Sequence, residues 1–286
     1  MLKQITIGDV TLNVQDIGSG PVILFVHGFP LDHTMWRHQV AEFSRDHRCI
    51  APDLRGFGQS GVTDGVATME RFADDLAALL DALHIAEPII FCGLSMGGCI
   101  AFQFVLRHAA RLKGLILCDA RAANDSLEGV ANRLKLADEV LRTGPKIVAD
   151  TMLPRLLMPA RGLPAEHIAD ELRQVILTTN PTSIAAGARG LAQRIDARSL
   201  LPTIPVPTLV IVGDHDLISP PAEMSEIAAA IPLAEFVVIS NSGHMAPLEN
   251  HTEVNHAIRR FLANVTATAC CPSRTGRIRG RIRGLR

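Results

Sequence analysis

The sequence predicts an α/β domain on a mostly parallel sheet, broken once by a long helical insertion. Three observations predict it. Short, continuously apolar runs bounded by turn residues recur at Val22–Val26, Cys49–Pro52, Ile89–Cys92, Leu115–Cys118, Thr208–Val212 and Phe236–Ile239. Helical patterns fall between most of them, and strands lacking polar alternation need cover on both faces. Between Cys118 and Thr208 no strand pattern appears at all.

The elements follow in order. A hairpin opens the chain, Lys3–Ile7 and Thr11–Asp16, turning at Gly8-Asp9. Helices are expected at Met69–Leu83, Met96–His108, Ala222–Ala230 and Glu253–Val265. The insertion divides into Ser126–Arg142, Lys146–Leu157, Ala165–Thr178 and Thr182–Arg194, separated by Gly144-Pro145, Gly162-Leu163-Pro164 and Asn180-Pro181. The expected organisation is a core of residues 1–120 and 201–266, a helical cap of residues 121–200, and a tail of residues 267–286. A cap at that point in the chain belongs over the carboxyl edge of the sheet, where ligands of such folds bind.

Composition narrows the function classes. With 286 residues and 48% hydrophobic content, the chain can bury a sizeable core. No apolar run reaches the ~20 residues that span a bilayer. The start, Met1-Leu2-Lys3-Gln4-Ile5-Thr6, lacks the pattern of a signal peptide, so a cytoplasmic protein is expected. Cys49, Cys92, Cys99 and Cys118 sit in apolar patterns, Cys270-Cys271 are vicinal, and neither they nor the scattered histidines have metal-ligand spacing. No metal and no cofactor are expected.

All 29 acidic residues lie at or before Glu253, whereas eight of the 28 basic ones, all arginines, follow it. Residues 1–253 therefore carry a net charge of −9, which gives no general attraction to nucleic acid. Only the Gly-Arg-Ile-Arg repeats after Arg274 could supply one, and they read as an appendage.

Function is carried by Phe91-Cys-Gly-Leu-Ser-Met-Gly-Gly-Cys99, a strand end that turns directly into a helix. A nucleophile there is lifted clear of its neighbours by a tight, strained turn, and the residues two before and two after it must be small. Ser95, flanked by Gly93 and Gly97, meets that demand. The alternative is a glycine-rich turn in which Ser95 merely caps the helix. Val26-His-Gly-Phe-Pro30 ends an early strand, and an oxyanion hole needs one N–H from such a loop and one from the residue after the nucleophile. Phe29 and Met96 fit those places, and His27 reads as structural. The late strand at Leu209–Val212 runs into a loop bearing Asp214 and Asp216, and the loop after the last strand presents His244 behind Gly243. The order serine, acid, histidine is the one this type of elbow requires.

With these stretches the chain resembles the α/β-hydrolases. HGFPLDHTMW, DLRGFGQS, GLSMGG, GDHDLISP and SGHMAPLE are similar to segments of small microbial carboxylesterases close to enol-lactonases of the 3-oxoadipate type. The resemblance implies a capped, eight-stranded sheet. It also picks Asp216 as the acid, since Gly213, Asp216 and Pro220 match the family spacing. It implies a serine carboxylesterase acting on a small, short-acyl ester without a cofactor. Lactone hydrolysis on the same machinery, or a binding protein that has lost the chemistry, are the alternatives. An epoxide hydrolase or dehalogenase of this fold would need a carboxylate in place of Ser95, and the chain has no tyrosine to activate an epoxide.

Other residues compete for roles. Asp214 suits loop fixing by Asx-type hydrogen bonds. Asp119 follows an inner strand where some relatives of this fold carry the acid, and it could instead pair with Arg121. His215 lies beside the acids, whereas the last-strand position favours His244. Asp53, Arg55 and Glu249 read as structural. Leu31 and Trp36 are candidates for lining the substrate pocket, with a plain core position the alternative, and Met152, Leu156, Leu157 and Met158 could roof it, although an apolar helical stripe is more often core.

Overall fold

The structure is a computed structural model and describes residues 1–158 and 163–269. The hairpin forms from β1 (Leu2–Ile7) and β2 (Val10–Ile17), and the chain then enters the sheet as β3 (Val22–Val26). Helix α1 (Arg37–Phe43) leads to β4 (Arg48–Pro52), α2 (Met69–Ala82) to β5 (Ile89–Leu94), and α3 (Met96–His108) to β6 (Leu112–Cys118). Four helices follow before the sheet resumes: α4 (Leu127–Thr143), α5 (Lys146–Leu156), α6 (Leu163–Thr178) and α7 (Pro181–Ala192). The chain closes with β7 (Thr208–Gly213), α8 (Pro221–Ala230), β8 (Ala234–Ile239), α9 (Ala246–Glu249) and α10 (His251–Ala269).

The eight strands form one sheet in the order β1-β2-β4-β3-β5-β6-β7-β8. Pairing is antiparallel from β1 to β2 and from β2 to β4, and parallel from there on. The uninterrupted apolar runs predicted this burial, since every residue of β5 and of β7 is buried. Polar N-caps set several helix starts: Thr68, Ser126 and Asn180 accept the N–H groups of Arg71, Gly129 and Thr182. No helix among the described residues is long and apolar enough to cross a membrane.

Two elements went unanticipated. α1 is only seven residues long and α9 four, too short for a periodic signal. The last helix also runs further than expected. It continues through Ala267-Thr-Ala269, residues assigned to the tail but rich in the best helix former. The arginine-rich stretch 270–286 lies outside the described residues.

Topology positions the site. The chain leaves β3 for β4 on one side and returns to β5 on the other, which makes the end of β3 a switch point. Val26 pairs with Gly93, Leu94 with Cys118, Cys118 with Ile211, and Gly213 with Ile239. The loops after β3, β5, β6, β7 and β8 therefore emerge side by side at one edge.

The insertion packs closely against the core at Gly190 of α7, where an added Cβ would lie 1.7 Å from the carbonyl oxygen of Ala67. The Ala67 N–H donates to the Ala186 carbonyl one turn earlier, which holds that backbone in place. Gly190→Ala should therefore destabilise the protein by about 1–3 kcal/mol of overpacking despite a gain of ~1 kcal/mol in helix propensity. Urea unfolding of the two proteins measures the difference, and a stabilised variant would contradict the close packing.

Candidate active site

Ser95 holds φ 54° and ψ −109°, a left-handed conformation outside the ordinary range of a non-glycine residue. Its backbone is fixed from both sides. The N–H donates to the Cys118 carbonyl at 3.0 Å, and its own carbonyl accepts the N–H groups of Gly98 and Cys99. The side chain makes no capping bond to α3, so the simple helix-cap reading fails. Half-buried rather than buried, it stands free at the amino end of that helix. A Cβ on Gly93 would lie 2.4 Å from the Gly97 carbonyl oxygen, and one on Gly97 would lie 2.3 Å from that of Val26. Both positions require glycine, as the turn demands.

His244 and Asp216 are both buried, and His244 Nδ1 lies 2.8 Å from Asp216 Oδ2. The carboxylate can only accept, so Nδ1 carries the proton and Nε2 keeps its lone pair. Asp216 Oδ1 accepts the backbone N–H groups of Ile218 (2.7 Å) and Ser219 (3.0 Å). Three donors thus meet this carboxylate. Asp214 instead accepts the Ser242 N–H at 3.0 Å and pairs with the exposed His215, as a loop-fixing residue does.

Asp119 lies beside this pair. Ligating atoms of Asp119, Asp216 and His244 lie within 4.8 Å of one another. Its Oδ1 accepts the Gly213 N–H, and its Oδ2 has no hydrogen-bond partner among the described residues. The expected pairing with Arg121 does not form: Asp119 is fully buried, and Arg121 Nε turns outward to Glu223 at 3.0 Å. Burial, reinforced by the charge of Asp216, raises the Asp119 carboxyl well above the usual carboxylate range. That direction favours the protonated form of Asp119.

The remaining histidine near the elbow is spent on structure. His27 Nε2 accepts the Leu54 N–H at 2.9 Å and Nδ1 faces the Gly28 carbonyl at 2.9 Å, so neither nitrogen is left for a substrate. Burial holds it neutral by lowering its pKa. Asp53 binds His33, Asn13 and the Gln59 N–H, and Arg55 binds Asp75 and Asp9. A second group with ligand-like spacing, Asp32, His33 and Asp53, is thereby committed to hydrogen bonds within the fold. Glu249 accepts from Gly243 (2.9 Å), Met158 (2.7 Å) and Met245 (3.3 Å), which fixes the loop on either side of His244.

Ser95, His244, Phe29 and Met96 line one small cavity enclosing about 70 Å³. Met96 opens α3, where an N–H has no partner within the helix. Leu31 and Trp36 do not join them. Leu31 turns back through its N–H to Gly28 and is buried in the core, and Trp36 packs against Phe25 with ring centroids 5.3 Å apart. Of the expected roof, Met152 reaches the cavity, whereas Leu156 is core and gives its carbonyl to the Met245 N–H. Three arginines complete the wall: Arg121 after β6, Arg133 on α4 and Arg194 after α7. Sequence reasoning missed Arg133 and Arg194, because no periodicity tells which charge of a surface-rich insertion turns inward.

This chain belongs to the α/β-hydrolase family, whose alpha/beta hydrolase fold matches residues 21–251. It is 35% identical to the AB hydrolase superfamily protein YisY of Bacillus subtilis over 264 residues, covering 88% of this chain and 95% of that one. It is 30% identical to 3-oxoadipate enol-lactonase 1 of Acinetobacter baylyi, covering 89% and 94% of the two chains. Among solved structures, a thermophilic esterase from Thermogutta terrifontis, with malate bound, superposes with a TM-score of 0.89. Identity there is 46%, over 93% of this chain and 99% of the other. The chain is a hydrolase of this family, with esterases and enol-lactonases as its neighbours.

The protonated Asp119 yields a linked prediction. Its raised folded-state pKa means that unfolding releases a proton above the ordinary carboxylate range, so its contribution to stability is present in acid and lost as pH rises. Asn is nearly isosteric with the protonated acid and cannot ionise. Asp119→Asn should be more stable than wild type at neutral pH, and the difference should shrink to nothing on acidification through the usual carboxylate pKa. Urea unfolding across pH tests it, and a variant less stable at neutral pH would overturn the protonated assignment.

Proposed function

We propose that the protein is a serine carboxylesterase of small, short-acyl esters, in which Ser95 is the nucleophile, His244 the general base and Asp216 the orienting acid. The observation that carries this reading is the strained Ser95 sharing a cavity wall with a histidine whose Nδ1 is held by a buried carboxylate. Ser95 Oγ attacks the ester carbonyl as His244 Nε2 takes its proton. Asp216 stabilises the resulting imidazolium. The N–H groups of Phe29 and Met96 receive the oxyanion. Collapse of the tetrahedral intermediate breaks the bond to the alcohol, which leaves with the proton from His244. Water, deprotonated by the same nitrogen, then attacks the acyl-enzyme and releases the carboxylic acid and Ser95.

Lactone hydrolysis is the second reading, favoured by the 30% identity to 3-oxoadipate enol-lactonase 1. The two differ only in whether the leaving alkoxide stays tethered to the acyl group. The volume of about 70 Å³ at the serine suits small acyl groups in either case. The Arg-rich tail has no part in this chemistry, and we place the protein in the cytoplasm.

Hydrolysis of p-nitrophenyl acetate, butyrate and octanoate by wild type and by Ser95→Ala tests the reading. Turnover should fall with chain length and vanish with Ser95. Asp216→Asn should lower kcat by about 10⁴-fold through the wrong imidazole tautomer, while Asp214→Asn should lower it little. A folded wild type that turns over neither these esters nor simple lactones would sink the hydrolytic assignment and leave a ligand-binding relative.

A further inference from the structure

Among the described residues, the cavity at Ser95 is lined by three arginines and by no acidic residue. Their hydrogen bonds are not equivalent. Arg194 is almost fully buried and completely committed: Nε and Nη2 donate to the Ala123 carbonyl, and Nη1 and Nη2 reach Asp125. Arg133 donates to Asp125 Oδ2 through Nε alone, and Arg121 donates to Glu223 through Nε alone. The terminal nitrogens of Arg133 and Arg121 have no protein acceptor among the described residues.

Charge points the same way. Asp125 and Glu223 are the acids paired with these three guanidinium groups, so the wall itself holds three cations against two anions. Asp125, itself held in its charged form by Arg133 and Arg194, spends its charge fixing those two side chains. A guanidinium whose Nε is fixed and whose terminal N–H donors are free presents a planar fork that suits a carboxylate. Arg194, by contrast, serves as a strut. The two free forks come from different elements, Arg121 from the loop just after β6 and Arg133 from α4. A single anionic group in the cavity could accept from both.

We infer that the substrate is a short ester carrying a second, negatively charged carboxylate, held by the terminal nitrogens of Arg133 and Arg121 while its ester carbonyl lies at Ser95. This deepens the hydrolase reading and rests on it. The wall leaves open whether the carboxylate belongs to the acyl or the alcohol part, so both are tested.

Two matched pairs of esters separate charge from shape. Monomethyl succinate is compared with methyl 4-methylpentanoate, in which an isopropyl group replaces the carboxylate. Acetylated glycolate is compared with isobutyl acetate in the same way. Hydrolysis is followed by pH-stat near neutrality. At least one charged ester should exceed its neutral partner by about tenfold or more in kcat/KM, mainly through KM. In Arg133→Gln and Arg121→Gln that ratio should fall toward unity, and high salt should lower it in the wild type.

Neutral esters turned over as well as or better than both charged ones would overturn the inference and leave the esterase standing. If the folded wild type hydrolysed none of the four, the carboxylesterase reading would fall. Calorimetric titration of free succinate into the same protein would then decide the site independently: binding lost in Arg133→Gln supports it, and no binding by the wild type removes it.

Discussion

The left-handed backbone at Ser95 is the constraint on which the rest of the site depends. A non-glycine residue in such a conformation costs on the order of 1–3 kcal/mol, and it persists only where its surroundings leave no alternative. Here the Cys118 carbonyl takes its N–H, the start of α3 takes its carbonyl, and the backbones of Val26 and Gly97 approach so closely that a methyl group would not fit. Each of these partners belongs to a neighbouring strand or to the helix. The order of the parallel strands is therefore what makes the strained turn affordable. The same order brings the β3 loop, with Phe29, against the serine from one side and the loops of Asp216 and His244 from the other.

Protonation beneath the histidine follows from burial and donor count. Asp119 and Asp216 are both removed from water and face one another, so ionising both would place two like charges in a low-dielectric interior. Asp216 receives two backbone N–H groups and the imidazole, while Asp119 receives only the Gly213 N–H. Burial with a single donor raises the Asp119 carboxyl, whereas Asp216 is the one that touches His244. Asp119 then reinforces Asp216 without adding a competing charge.

Much of this was legible in the sequence, for physical reasons that also mark its limit. Strands buried on both faces leave continuous apolar runs, and helices leave amphipathic ones, so β3 to β8 and the larger helices stand within a few residues of their expected ends. Ser95, Gly93, Gly97 and His244 were readable because a tight turn restricts residue type locally. Leu31 and Trp36 were left between pocket and core because a loop has no period from which to infer where a side chain points; both are buried. Arg133 and Arg194 were invisible for a different reason. Their position depends on how α4 and α7 sit over the sheet, and that arrangement is set by contacts far apart in sequence.

The insertion and the histidine loop are tied by the same few bonds, which makes the placement of one a condition for the other. Glu249 accepts the N–H groups of Gly243 and Met245, on either side of His244, and also that of Met158 just beyond α5. The Leu156 carbonyl at the end of α5 accepts the Met245 N–H as well. A Cβ on Gly243 would lie 2.6 Å from the Met158 nitrogen, so the two segments touch backbone to backbone. Glu249 is half-buried, so losing any of these donors would leave its carboxyl with fewer partners where water replaces them only in part. Burial already raises its pKa, so such a loss would favour its neutral form and loosen the loop further. The insertion therefore does more than line the cavity: through Glu249 and Leu156 it holds the loop that carries His244 to the wall it shares with Ser95.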